Sequence, residues 1–282
     1  MQSDQLVVPD LGAPPGGATQ AQRLFFETHG YLVIPGALGP DELKHLQQAA
    51  DRAEQRWRAD ESLPGWRRQN ISSLTSIVEY DEAFSDLMLH PKVFPIVRDL
   101  LGPDLALIYS DYYITPAHTR SHIHWHQDVG LIGPFNPLST MHIKAFYMLS
   151  DVTENGGPTA VLPGSHKFLT DDIVPELDDP TQMPGAVRMA HPAGTVWIFN
   201  ARCFHCAMPN DSDVTRRVLI YNYGHCWMKP WQGYEPSAQL RARAKSLIMQ
   251  QLLHMREPYL EEYKLRRRPK IGGTAGRPEY EI

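Results

Sequence analysis

The sequence predicts an α+β fold that is mainly β. It is a double-stranded β-helix, or jelly roll, with N-terminal helices packed on one sheet and a helix near the C-terminus. Three observations carry that expectation. Residues 105–223 break into eight short β-rich runs separated by Gly, Pro and Asn, the pattern of a double-sheet sandwich. Helical periodicity is concentrated before residue 105, so the helices can lie together on one outer face. At 282 residues with 42% hydrophobic content, the chain can bury the core of one large domain.

In chain order, residues 1–18 hold Pro14-Pro15-Gly16-Gly17 without periodicity and read as a flexible tail. A short helix spans Arg23–His29, with Gly30 placed to cap it. The strand Tyr31–Ile34 is stopped by Pro35-Gly36. From Asp41 to Arg58, Leu43, Leu46 and Ala50 share one face and charges take the other, which predicts a longer helix. Two more helices are expected over Tyr80–Leu89 and Pro91–Leu101, before Gly102-Pro103. The eight strands are then Leu105–Ile114, His122–Val129, His142–Leu149, Thr159–Leu162, Ala186–Met189, Thr195–Phe199, Cys203–Met208 and Arg217–Tyr223. Ser237–Arg256 closes the domain as a helix, so the domain is expected over 19–256 and a C-terminal extension with a basic run over 257–282. No internal repeat is visible.

A formal charge of −5 and a pI near 6.2 argue against a nucleic-acid or anionic-membrane partner. No apolar run spans a bilayer and no secretory signal is visible, so a cytoplasmic location is expected. Cys203, Cys206 and Cys226 are too few for a disulfide framework. Cys203 and Cys206 bracket His205 as C-x-x-C, but no second pair completes a zinc site, and both read as small residues on a buried strand.

His122, His124, His126 and Asp128 occupy alternate positions, so on a strand all four share one face. Such a face is costly in a dry core and tolerable around water or a metal. Two readings stay open at this point. His124, His126 and Asp128 resemble the opening of the zinc motif of metallo-β-lactamase-like hydrolases, although Val129 stands where that motif continues with a second histidine. Alternatively, His126 and Asp128 join the distant His205 as a 2-His-1-carboxylate set, which holds Fe(II) on one face and leaves positions open for co-substrate and dioxygen. Arg216 follows His205 and carries the planar fork that pairs two-pronged with a dicarboxylate such as 2-oxoglutarate.

Three ordered motifs sharpen the choice: Trp125-His126-Gln127-Asp128, then Glu154-Asn155-Gly156-Gly157 leading to Pro163-Gly164-Ser165-His166, then His205 with Asn210, Ser212 and Arg216. In order and spacing they resemble the phytanoyl-CoA dioxygenase family, a jelly-roll branch of the Fe(II)/2-oxoglutarate oxygenases. The resemblance covers about residues 105–223, and the helical N-terminal portion with Tyr31–Ile34 is similar too. It implies His126, Asp128 and His205 as catalytic iron ligands and Arg216 as the anchor of the distal carboxylate of 2-oxoglutarate. It also implies an aromatic, Phe146, beside the co-substrate, with Ser212 and Tyr113 completing the carboxylate's hydrogen bonds. Arg217 points to the other face, and His166 is expected to shape the barrel. The chain departs from the family in having Cys206-Ala207-Met208 after the distal histidine, where relatives often have Gly or Ser.

The implied activity is a dioxygenase that uses Fe(II), 2-oxoglutarate and O2 and forms succinate and CO2. Its expected outcome is hydroxylation of a small, fairly apolar organic metabolite of the secondary-metabolism kind. The Asp128 carboxylate argues against a halogenase, in which chloride takes that place. Val129–Thr140 is read as a lid, and Trp125, Phe135, Trp227 and Trp231 as candidate pocket walls. The competing readings are a catalytically silent jelly-roll binding protein and a zinc-dependent hydrolase using His124, His126 and Asp128. The oligomeric state is not legible.

Overall fold

A computed structural model of the protein describes residues 15–67, 71–120, 123–128, 139–170 and 172–256. His122, Phe135 and most of the expected lid lie outside the described residues, as do most of the N-terminal tail and the C-terminal extension.

Helix α1 (Gln20–His29) starts at a capping box between Thr19 and Gln22 and ends at Gly30, whose φ of 80° is left-handed. A side chain on Gly30 would also run into Cys203 and His166, so this turn packs directly against the β core. Strand β1 (Tyr31–Ile34) follows. Helix α2 (Pro40–Ala59) opens with Pro at its first turn and Asp41 and Glu42 beside the positive end of its dipole. It buries Leu46, Ala49, Ala50, Ala53 and Trp57 along one stripe. Two short strands, β2 (Gly65–Arg67) and β3 (Ser72–Thr75), precede α3 (Glu82–Leu87) and α4 (Phe94–Leu101).

The β core comprises β4 (Leu105–Thr115), β5 (Ile123–His126), β6 (His142–Met148), β7 (Thr159–Val161), β8 (Val187–Arg188), β9 (Val196–Asn200), β10 (His205–Ala207) and β11 (Arg216–His225). They form two antiparallel sheets, a seven-stranded one ordered β1-β9-β6-β11-β4-β3-β2 and a four-stranded one ordered β5-β10-β7-β8. This is the jelly roll. Alternation divides the large sheet into two faces. Tyr112, Ile143, Ala145, Tyr147, Ile198, Leu219, Tyr221 and Tyr223 face outward into one core with Ala49, Trp57, Phe84 and Phe94 from the helices. Each buried aliphatic or Phe side chain there contributes about 1.5–3 kcal/mol. The buried tyrosines keep their hydroxyls paired, Tyr221 donating to the carbonyl of Phe84 at 2.7 Å and Tyr223 to that of Met88 at 2.9 Å.

The structure differs from expectation at the margins. Strands β2 and β3 were not expected. The segment expected as one helix over Ser237–Arg256 is two, α5 (Ala238–Arg243) and α6 (Leu247–Leu252), because Ser246 caps a new start by accepting from Met249 N. Strand β5 ends at His126, so Asp128 sits just beyond it. Among the described residues no helix is long and apolar enough to cross a membrane.

Candidate active site

The inner faces of the two sheets enclose the site. Register puts His126 and His205 directly opposite on β5 and β10, with ring centroids 4.2 Å apart. Asp128 turns back toward them, its Oδ2 3.3 Å from His205 Nε2 and its Oδ1 3.8 Å from His126 Nε2. The ligand atoms of these three residues lie within 4.8 Å of one another. Both histidine Nδ1 atoms face backbone carbonyls, that of His124 at 2.7 Å and that of Cys203 at 3.0 Å. Nδ1 therefore carries the proton, and the Nε2 lone pairs converge on one point, as a metal requires. Burial pushes His205 down to about 3, so it stays neutral. Burial alone would raise Asp128, but the Lys144 ammonium and the neighbouring imidazoles outweigh it and hold the carboxyl well below the usual range. The donor set fits a divalent ion.

Arg216 opens β11 with its side chain inside. It is 5% exposed and donates from Nη2 to Thr159 Oγ1 at 2.9 Å, while its Nε has no partner among the described residues. Burial lowers its pKa to about 10, which leaves it charged at neutral pH. Thr159 is two residues along β7 from Val161, the cross-strand neighbour of His205, a step of about 7 Å. A free guanidinium edge thus lies a short dicarboxylate's length from the histidines. Arg217, one residue on, faces out and donates to Tyr112 Oη and Asp51 Oδ1, both at 2.5 Å.

The remaining expected residues scatter. Phe146 is on the inner face, packed on Trp197 at 4.7 Å and Phe199 at 5.4 Å, and Phe199 meets the His205 ring at 4.8 Å. Tyr113 pairs with Val218, two residues from Arg216, and burial raises its pKa, so it is a neutral phenol. Ser212 is drawn elsewhere. Its hydroxyl donates to Asn210 Oδ1 at 2.7 Å and its N–H to the same atom at 3.2 Å, which closes the turn before β11. Trp125 is also displaced. Successive residues on β5 alternate, so it faces away from the histidines toward Ala160, Cys206 and Met208, and its indole N–H donates to the carbonyl of Pro180. There it borders an outer cleft of about 1020 Å³. Trp227 is 66% exposed and stacks on His225 at the far end of β11. His124 stands outside the three-residue cluster. Burial raises the thiols of Cys203 and Cys206 to about 12, and among the described residues neither joins the cluster of His126, Asp128 and His205.

One central residue was not anticipated. Lys144 is buried on β6 with its Nζ 2.9 Å from Asp128 Oδ2, over the rings of Phe146, Phe199 and Tyr109 at 5.7, 5.8 and 6.0 Å. By holding Oδ2 it leaves Oδ1 for a metal. Its signal was its position two residues before Phe146, which puts both on one face of a strand.

The sequence profile of the family described as Phytanoyl-CoA dioxygenase (PhyH) matches residues 26–218. The chain belongs to this family. The phytanoyl-CoA dioxygenase fold and cofactors follow: it is an Fe(II)- and 2-oxoglutarate-dependent dioxygenase. Among curated relatives, this family member is similar to an ectoine dioxygenase of Stutzerimonas stutzeri (strain A1501), 26% identical over 77% of this chain and 79% of the relative. It is also similar to an L-proline trans-4-hydroxylase of Streptomyces griseoviridis, 23% identical over 73% of this chain and 87% of the relative. Among solved structures, HygX from Streptomyces hygroscopicus with nickel and 2-oxoglutarate bound superposes with a TM-score of 0.64 at 21% identity, over 80% of this chain and 94% of that one. That last likeness concerns fold alone.

Proposed function

We propose that this phytanoyl-CoA dioxygenase family member hydroxylates a small organic molecule, with His126, Asp128 and His205 holding Fe(II) and Arg216 holding the distal carboxylate of 2-oxoglutarate. The observation that carries the reading is one enclosed face. Two Nε2 atoms and one carboxylate lie within 4.8 Å, and a buried guanidinium with an unpartnered Nε stands beside them. When bound, iron and co-substrate supply dioxygen activation, and 2-oxoglutarate is converted to succinate and CO2 as oxygen passes to the substrate.

The protein's part is positioning. Backbone carbonyls fix the imidazole tautomers, Lys144 fixes one carboxylate oxygen of Asp128, and Arg216 orients the co-substrate by a charge-assisted fork. Phe146, Trp197, Phe199, Val218 and Ile220 form an apolar wall that excludes water. Tyr113 adds a neutral phenol near Arg216, which suits a hydrogen bond to the same carboxylate. Relatives named for ectoine and L-proline support a small organic substrate. The free cysteines suit a reducing, cytoplasmic setting.

The test is turnover. Purified protein with Fe(II), ascorbate and O2 is expected to convert 2-oxoglutarate to succinate even without a primary substrate. Asp128→Ala is expected to abolish it while remaining folded. A folded wild-type protein that binds Fe(II) and 2-oxoglutarate yet forms no succinate would sink the reading.

A further inference from the structure

Beyond the histidines, on the side away from Arg216, the inner face of the large sheet turns polar. Asn222 on β11 lies opposite Lys144 on β6 and Tyr109 on β4, and the next inward position of β6 is His142. Asn222 is six residues from Arg216, about 20 Å along the strand, so the co-substrate anchored by Arg216 does not reach it. Asn222 is fully buried and His142 is 4% exposed. The two approach each other, yet neither amide atom of Asn222 nor Nε2 of His142 closes a hydrogen bond of good geometry among the described residues. Burying such groups without partners costs stability, and a ligand that pairs with them repays it. Aromatic rings link this pair to the surface: Tyr109 packs on His142 at 6.2 Å and on Trp231 at 5.8 Å, and Trp231 is 58% exposed.

We infer that Asn222 and His142, walled by Lys144 and Tyr109, form the substrate subsite of this oxygenase, and that it takes an uncharged group bearing both a donor and an acceptor, such as a carboxamide, lactam or hydroxyl. This rests on the iron and 2-oxoglutarate reading above. The chemistry of the wall selects against the alternatives. An alkyl group would leave the amide and the imidazole buried and dry. A carboxylate would find no spare positive charge. Lys144 is already paired with Asp128 at 2.9 Å and has Asp111 beside it, a divalent metal is matched by the dianionic co-substrate, and Arg216 stands at the other end. An amide, by contrast, offers both an N–H donor and a carbonyl acceptor, which pair with the carbonyl oxygen and the NH2 group that Asn222 presents.

Two measurements test this. In metal-free protein, Asn222→Leu, close in size but apolar, is expected to raise the thermal midpoint by about 2 °C or more, because an unpartnered buried amide is removed. A fall of that size, repeated in Asn222→Ala, would mean that the amide is already satisfied and would overturn the proposal. In protein loaded with Mn(II) and 2-oxoglutarate without oxygen, 2-pyrrolidinone is the probe and acetate its charged counterpart. The paramagnetic ion is expected to speed proton relaxation of 2-pyrrolidinone severalfold, and Asn222→Leu or His142→Leu to abolish that gain. Acetate is expected to show no effect that depends on Asn222. No gain for 2-pyrrolidinone, or an Asn222-dependent gain for acetate, overturns the proposal. Failure of the iron reading is seen separately, as Mn(II) left free in the electron paramagnetic resonance spectrum.

Discussion

Arg216 and Arg217 stand side by side at the start of β11, and the strand pleat sends the first between the sheets and the second toward α2. Their environments predict different phenotypes. Arg216→Ala is expected to weaken 2-oxoglutarate binding by about 3 kcal/mol, roughly a hundredfold in Kd, because a buried charge pair loses one partner. Arg216→Lys is expected to restore only part of this, since a point charge cannot reproduce the fork. Arg217→Ala removes the ion pair with Asp51 and the donor to the buried Tyr112 hydroxyl, and is expected to cost about 1–3 kcal/mol of stability, with 2-oxoglutarate affinity unchanged. Calorimetric titration of the three variants decides; equal affinities in wild type and Arg216→Ala would move the anchor elsewhere. At this scale the cluster of His126, Asp128 and His205 was readable, because metal chemistry restricts residue types and the family-like motif around His205 supplied the distant member. Lys144 was not, since a lone lysine in a sequence carries no sign of which carboxylate it will meet.

Among the elements, the turn before β11 sets the entry angle of Arg216. Asn210 is fully buried there, and its Nδ2 donates to the carbonyls of Thr115, Pro116 and Val214 while its Oδ1 accepts from both the N–H and the hydroxyl of Ser212. Asn210→Ala removes the donor to these carbonyls, of which that of Thr115 is buried, and is expected to cost about 1–3 kcal/mol. It is expected to lower the thermal midpoint by several degrees and to weaken 2-oxoglutarate binding less than Arg216→Ala does. If chemical denaturation finds Asn210→Ala as stable as wild type, the turn does not depend on it. The sequence motif joining His205, Asn210, Ser212 and Arg216 therefore mixes site and scaffold, and nothing in its spacing separates the two. The long strands β4, β6 and β11 were readable from β-rich runs bounded by Gly and Pro. The short polar strands β2 and β3 were not, because their pairing comes from the edge of β4 rather than from a pattern of their own.

Across the molecule, buried histidines tie stability to pH. Burial lowers His142 and His166 to about 4 and His205 to about 3, below the usual 6.5. Below pH 6.5 the unfolded chain takes up protons that the folded chain refuses, so each contributes stability that is lost as the pH falls. Asp111 opposes one of them, because burial raises it to about 7 and the folded state binds its proton first. The net sign stays with the histidines. The metal-free protein is expected to lose more than about 1.4 kcal/mol per pH unit between pH 6 and 5, and a flat or rising thermal midpoint over that range would contradict it. The resemblance to the phytanoyl-CoA dioxygenase family implied His205 and Arg216 as site residues, whereas the sequence by itself determined the jelly roll and the His-x-Asp spacing of His126 and Asp128. These are local periodicities and chemically restricted side chains, which survive without knowledge of contacts. Only the tertiary structure decided that Trp125 turns outward, that Ser212 serves a turn, and that Lys144, His142 and Asn222 line the interior beside the metal site. Those outcomes depend on which strands from distant parts of the chain pair and in what register, and register is settled by packing the whole core rather than by any one segment.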